Sequence, residues 1–170
     1  ASKRIRVVAM DQHDDYVRSV RENAPQAKIV FDKFHLLQNF EEAVNEERKS
    51  LHLEQGRGTE LHRLSRGRFR YLFLKKDSRR TSKERRHIKD VMEENAYFSK
   101  LEIIKERVLT LFYERSPEDA RAVLDEVGDW IWQAGFKSLM TWWKNFDRQW
   151  ETIKNYFNYR VTNVLAEGIN

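Results

Sequence analysis

The sequence predicts an α+β protein that is mostly α-helical, and three observations carry that prediction. Two short apolar runs near the start each end in an acid and flank one helical stretch. The middle of the chain then repeats apolar residues at helical spacing over roughly a hundred residues. Breaks are few, six Gly and two Pro in 170 residues, which favours long helices over a many-stranded sheet.

Ile5 to Met10 is apolar without helical spacing, so it reads as a buried strand running into Asp11. Asp14 or Asp15 is placed to cap a helix reaching about Asn23, with Tyr16, Val17 and Val20 on one face. Asn23-Ala24-Pro25 ends it, because the residue before proline is pushed out of the α region. Lys28 to Phe31 is a second short strand, running into Asp32. Strand, helix and strand within about thirty residues make a right-handed parallel crossover. Two strands do not make a stable sheet. Either strands are missing from this chain, or its helices support the pair.

Phe34, Leu36, Leu37, Phe40, Ala43 and Val44 mark an amphipathic helix that runs on through Glu46 to Lys49. Gly56-Arg57-Gly58 is the expected break. Arg68 to Leu74 fits either a short strand or an irregular helix, and the pattern does not decide. Asp77-Ser78 and Thr81-Ser82 precede Lys83-Glu84, an N-cap neighbourhood for a helix through Met92. Leu101 to Tyr113 is helical, with Ile104, Val108, Leu111 and Phe112 in one stripe. Ser116-Pro117-Glu118-Asp119 is a helix start, with Ser as N-cap, Pro in the first turn and acids beside it. That helix carries Ala120, Val123, Leu124, Val127 and Ile131 before Gly135 breaks it. A segment from about Ser138 to Phe157 follows, and Val161 to Asn170 enters a final helix carrying Glu167.

A chain of this length suits one ordinary core. No apolar run approaches the roughly 18 residues of a spanning helix, and no signal-peptide pattern opens the chain; neither a membrane partner nor export is expected. The chain has no Cys, which excludes disulfides and thiolate metal sites and fits a cytoplasmic protein. The net charge of +5 is unevenly spread. Residues 57–89 hold thirteen Lys and Arg against three acids, a net of +10, while the other residues sum to −5. That block, interleaved with Phe69, Tyr71 and Phe73, reads either as a surface against a phosphate backbone or as a solvated helical face.

Asp11 at a strand end and Glu167 on a returning helix are carboxylates of the kind that converge to hold divalent ions. Hard oxygen ligands suit Mg²⁺, and two ions about 4 Å apart clamp the attacking and leaving oxygens of a phosphodiester displacement. Asp14 and Asp15 read as caps. Asp32 and His35 read as structural rather than as ligands, with His35 either orienting a carboxylate or bonding backbone. His13, His52, His62 and His87 lack metal-ligand spacing. Trp130, Trp132, Trp142, Trp143 and Trp150 read as core rather than as a base-stacking platform, although the adjacent Trp142 and Trp143 cannot share one helical face.

The run Met10-Asp11 to Tyr16, with Ala27 to His35, resembles the DDE transposases of bacterial insertion sequences, specifically the ISL-three family. The likeness continues through Tyr71-Leu72-Phe73-Leu74-Lys75 and into Arg160-Val161-Thr162-Asn163 with Glu167-Gly168-Ile169-Asn170. It covers essentially the whole chain. The resemblance implies a partial RNase H-like α/β core at 1–45, a helical insertion at 46–157, and a return to the core at 158–170. It implies an Asp-Asp-Glu triad with two Mg²⁺ or Mn²⁺ ions that cuts DNA and joins strands. Asp11 corresponds to the second Asp and Glu167 to the Glu, both as metal ligands, with Asp32 and His35 supporting them. The first Asp has no counterpart here, so this chain alone is expected to be inactive. DNA is the implied partner, with a homo-oligomer in the active complex. Arg66, Arg68, Arg70, Arg79 and Arg80 are the expected phosphate contacts. The rival reading is a non-catalytic basic helical module that binds nucleic acid or a protein; a purely structural helical domain is a third. A separation of the Asp11 and Glu167 carboxylates within about 8 Å would favour the shared two-metal site.

Overall fold

The structure, a computed structural model, describes residues 4–54, 56 and 58–161. Strand β1 (Val7–Met10), helix α1 (Asp14–Asn23) and strand β2 (Lys28–Phe31) form the expected crossover. The strands pair in parallel, with Val7 opposite Lys28 and Met10 opposite Phe31. The cap of α1 differs from expectation. His13 is the N-cap residue and makes no side-chain cap, while Asp14 and Asp15 lie inside the first turn. There they act on the helix dipole rather than on single N–H groups. Tyr16 is also exposed rather than inward, its ring against His13 at 5.0 Å; Val17 and Val20 alone pack on the core.

Helix α2 (Lys33–Leu53) is the spine of the molecule. It runs unbroken past residue 45, buries Leu36, Phe40, Val44 and Leu51, and packs on helices to either side. Short α3 (Glu60–Leu64) and α4 (Phe69–Leu74) follow, then a single 3₁₀ turn at Asp77–Arg79. Residues 68–74 therefore resolve to a helix rather than a strand. Phe69 and Phe73, four apart, both enter the core and meet Phe98 edge-on at 5.9 and 5.8 Å. Helix α5 (Ser82–Glu94) starts with Thr81 and Glu84 in a reciprocal capping box. Glu84 is held down to about pKa 2, first by the Thr81 backbone N–H and then by Lys75.

Helix α6 (Ala96–Leu111) is capped by Asn95 and begins earlier than its apolar stripe suggests. Helix α7 (Pro117–Ala134) matches its signals: Ser116 caps Asp119 N–H, and Gly135 closes it in the left-handed region at φ 73°. The segment from 138 to 157 is three helices rather than one: α8 (Lys137–Arg148), α9 (Trp150–Ile153) and α10 (Asn155–Tyr159). Helix α8 has no cap of its own; the buried Glu47 carboxylate on α2 accepts from Ser138 and Leu139 N–H instead. Turning between α8 and α10 buries Ile153 and Phe157 and lets Asn155 Nδ2 donate to Ile29 O at 2.8 Å. Helices α9 and α10 thus cover β2, so the helical part supports the strand pair. One continuous core joins Met10 and Val30 to Phe157. Among the described residues no helix is long and apolar enough to cross a membrane.

Four of the five tryptophans serve that core, and Trp132 does not. Trp142 packs on Phe40 at 4.8 Å, while Trp143 turns to α7 and donates its Nε1–H to Leu124 O at 2.8 Å. Trp130 and Trp150 pack at its edge; Trp132 stays exposed beneath Lys144.

Candidate active site and nucleic-acid interface

Asp11 and Asp32 each follow the last residue of a strand, and the Met10–Phe31 pairing makes the two positions neighbours. Asp32 N–H donates to Met10 O at 2.8 Å. The two acids do different work. Asp32 is buried, and its Oδ1 accepts from Phe34 N–H at 2.8 Å, capping α2. Asp11 keeps 42% of its side chain exposed.

The first turn of α2 brings His35 to Asp11, with Nε2 3.3 Å from Oδ2. His35 Nδ1 is buried with no hydrogen-bond partner among the described residues. A proton at Nε2 leaves Nδ1 with a buried lone pair; a proton at Nδ1 would leave an orphaned donor. Nε2 is the ring nitrogen that faces the Asp11 carboxylate. Of the two partners expected for His35, a carboxylate lies beside its ring, that of Asp11.

Beside this pair a cleft of about 980 Å³ opens between α1, α2 and α8. Gln12, the residue after Asp11, accepts from Asn39 Nδ2 at 3.2 Å and donates to Gln149. This amide chain ties the end of β1 to α2 and to the α8–α9 turn. Spacing in the sequence gives no sign of it, because three amides far apart carry no periodicity.

Glu167 lies outside the described residues, with Asn163, Gly168, Asn170 and the expected final helix. The chain leading toward it is anchored by Arg160. Its guanidinium donates to Phe112 O at 2.9 Å and to Glu114 O, and stacks on Tyr156 and Phe157. Arg160 adopts a left-handed φ of 53°, a conformation costly for a residue with a Cβ.

Asp11 offers one hard oxygen donor group of the kind a divalent ion takes. No group of three or more His, Cys, Asp or Glu placed to hold a metal ion occurs among the described residues. The other histidines are engaged elsewhere. His52 Nδ1 lies 2.6 Å from Ser65 Oγ, its ring stacks on His62 at 4.6 Å, and His87 Nε2 meets Leu64 O at 2.9 Å.

The basic segment divides by pairing. Residue 57 lies outside the described residues. Arg63 pairs with Glu60, Lys75 with Glu84, Arg85 with Asp77, and Lys89 with Glu93. Arg66, Arg68, Arg70 and Arg79 are exposed, and none has a carboxylate partner among the described residues. Arg80 is a correction to the expected phosphate contacts. Its side chain is 1% exposed, pairs with Glu102, and donates to Leu72 O at 3.2 Å and Phe73 O at 2.8 Å. Lys105, equally buried, donates to Phe73 O at 2.7 Å and sits 2.9 Å from Glu102. These two cations satisfy the last carbonyls of α4. A guanidinium so enclosed reaches no phosphate.

A family model described as transposase, of the ISL-three type, matches residues 1–170, and the chain belongs to that family. The transposase for insertion sequence element IS1001 of Bordetella parapertussis is similar, 21% identical over 170 residues. The match takes in 100% of this chain and 42% of that relative, so the chain spans about two-fifths of its length. No solved structure matches the chain.

Proposed function

We propose that this chain is part of the catalytic domain of a transposase that cleaves DNA and transfers the cut strand with divalent metal ions. The observation that carries the reading is Asp11 at the end of β1, with His35 Nε2 3.3 Å from its carboxylate. Asp11 and Glu167 are the proposed metal ligands, and membership of the ISL-three transposase family supports that assignment. Two Mg²⁺ or Mn²⁺ ions would supply charge neutralisation and water activation there. His35 fixes the rotation of the Asp11 carboxylate, and Asp32 holds the helix that carries His35. Arg66, Arg68, Arg70 and Arg79 bind the DNA backbone without reading sequence. DNA is the partner and a homo-oligomer the working assembly. The chain alone is inactive in this reading, because the first Asp of the family triad has no counterpart among its residues.

The test is Mn²⁺-dependent strand cleavage by the full-length parent protein. Asp11→Asn and Glu167→Gln should each abolish cleavage while leaving DNA binding in place. Cleavage at wild-type rate by either variant removes the metal-ligand assignment.

A further inference from the structure

Helix α4 shows two unlike faces. Phe69 and Phe73 are buried in the core, whereas Tyr71 is 72% exposed. Arg68 precedes Tyr71 by three residues and shares its face, and the Arg70 guanidinium carbon lies 5.9 Å from the Tyr71 ring. Arg66, Arg68 and Arg70 have no carboxylate partner among the described residues, although Arg63, Lys75, Arg85 and Lys89 do. Arg70 also crowds the buried Arg48 of α2: burial first, and Arg70 second, press the Arg48 pKa down. Like charges gathered on one surface are relieved by an anionic partner.

Charge alone would suit any phosphate backbone. The tyrosine adds selectivity. A ring flanked by arginines gains most from a base whose face is open, and duplex DNA covers those faces by its own stacking. Of the three aromatics interleaved with the basic residues here, the fold commits two to the core and leaves one outward.

We infer that Tyr71, between Arg68 and Arg70, stacks on an unpaired nucleobase, so this face takes single-stranded or locally melted DNA in preference to intact duplex. The inference rests on the reading that the basic segment binds DNA. Arginines on the flanking phosphates place the strand, and the ring holds one base.

The test measures fluorescence anisotropy of the full chain with a labelled oligothymidylate and with a mixed-sequence duplex. Tyr71→Ala should weaken oligothymidylate binding by about tenfold and leave duplex binding within about twofold. Tyr71→Phe keeps the ring and should bind as wild type. Arg68→Ala with Arg70→Ala should weaken both DNAs and flatten their salt dependence. Circular dichroism checks that each variant is folded. Unchanged oligothymidylate affinity for Tyr71→Ala, with both DNAs weakened in the arginine variant, overturns the stacking role and leaves the DNA reading standing. An arginine variant that binds both DNAs as wild type overturns the two together.

Discussion

Replacing Arg80 by Ala should destabilise the fold, whereas the same change at Arg79 should not. Arg80 Nη1 pairs with the buried Glu102, while Nε and Nη2 donate to Leu72 O and Phe73 O. Breaking a buried ion pair by removing one partner costs about 3–5 kcal/mol. Here the carboxylate keeps Lys105 at 2.9 Å and Phe73 O keeps Lys105 at 2.7 Å, so neither is orphaned. The lower end, about 3 kcal/mol, therefore applies to Arg80→Ala. Glu102→Gln leaves two buried cations around a neutral amide and belongs at the upper end, about 5 kcal/mol. For a chain of this size 3 kcal/mol is roughly a 6–12 °C fall in Tm. Arg79 is exposed, with no carboxylate partner among the described residues, so Arg79→Ala should stay within about 0.5 kcal/mol of wild type. Urea denaturation followed by circular dichroism reads all three variants. Coincident curves for Arg80→Ala and Arg79→Ala would refute the structural role and return Arg80 to the candidate DNA contacts.

Gly128→Ala on α7 should destabilise by about 1–3 kcal/mol, against the gain of about 1 kcal/mol that helix propensity alone promises. An added Cβ would meet Trp143 Nε1 at 2.6 Å, just where that indole donates to Leu124 O; a higher Tm in thermal denaturation would show that the indole moves aside freely. His52 makes the fold acid-sensitive. Burial first, then His62 and Arg48, lower its pKa below the usual 6.5. The unfolded chain thus takes up the proton first, so His52 adds stability above about pH 6.5 that is lost as pH falls through its folded pKa. His52→Gln should flatten the fall in urea midpoint between about pH 7 and 5; an unchanged slope would assign the acid limb to other groups.

Helix signals confined to a few residues were legible in the sequence. Ser116 with Pro117, Thr81 with Glu84, and Gly135 act through their own backbone, and each stands where it was expected. Signals that depend on distant partners were not. Phe69, Tyr71 and Phe73 alternate as a strand does, while Phe69 and Phe73 alone have helical spacing; Phe98 and the Arg80–Lys105 caps decide between them. Arg80 looked like its neighbours because charge in a sequence carries no mark of burial. At the candidate site, Asp11 and His35 were visible as a strand end and the first turn of a helix. The Gln12–Asn39–Gln149 chain was not, since its members meet only after α8 packs on α2.

Helix α2 sets the distance between the two features on which the functional reading depends. Its first turn carries His35 against Asp11, and its last turns carry Arg48 beside Arg70 and His52 beside Ser65. From His35 to Arg48 a continuous helix rises roughly 20 Å at 1.5 Å per residue. That is shorter than one turn of B-DNA, about 34 Å. On the proposed reading, a strand held by Arg68, Arg70 and Tyr71 lies roughly 20 Å along α2 from the phosphate at Asp11. Glu47, near the middle of the same helix, holds the start of α8. Glu47→Ala would free that end of α8 without touching either DNA contact. A protected footprint that kept its distance from the cleavage position in that variant would show that α2 alone sets the spacing; a shifted one would assign part of it to α8.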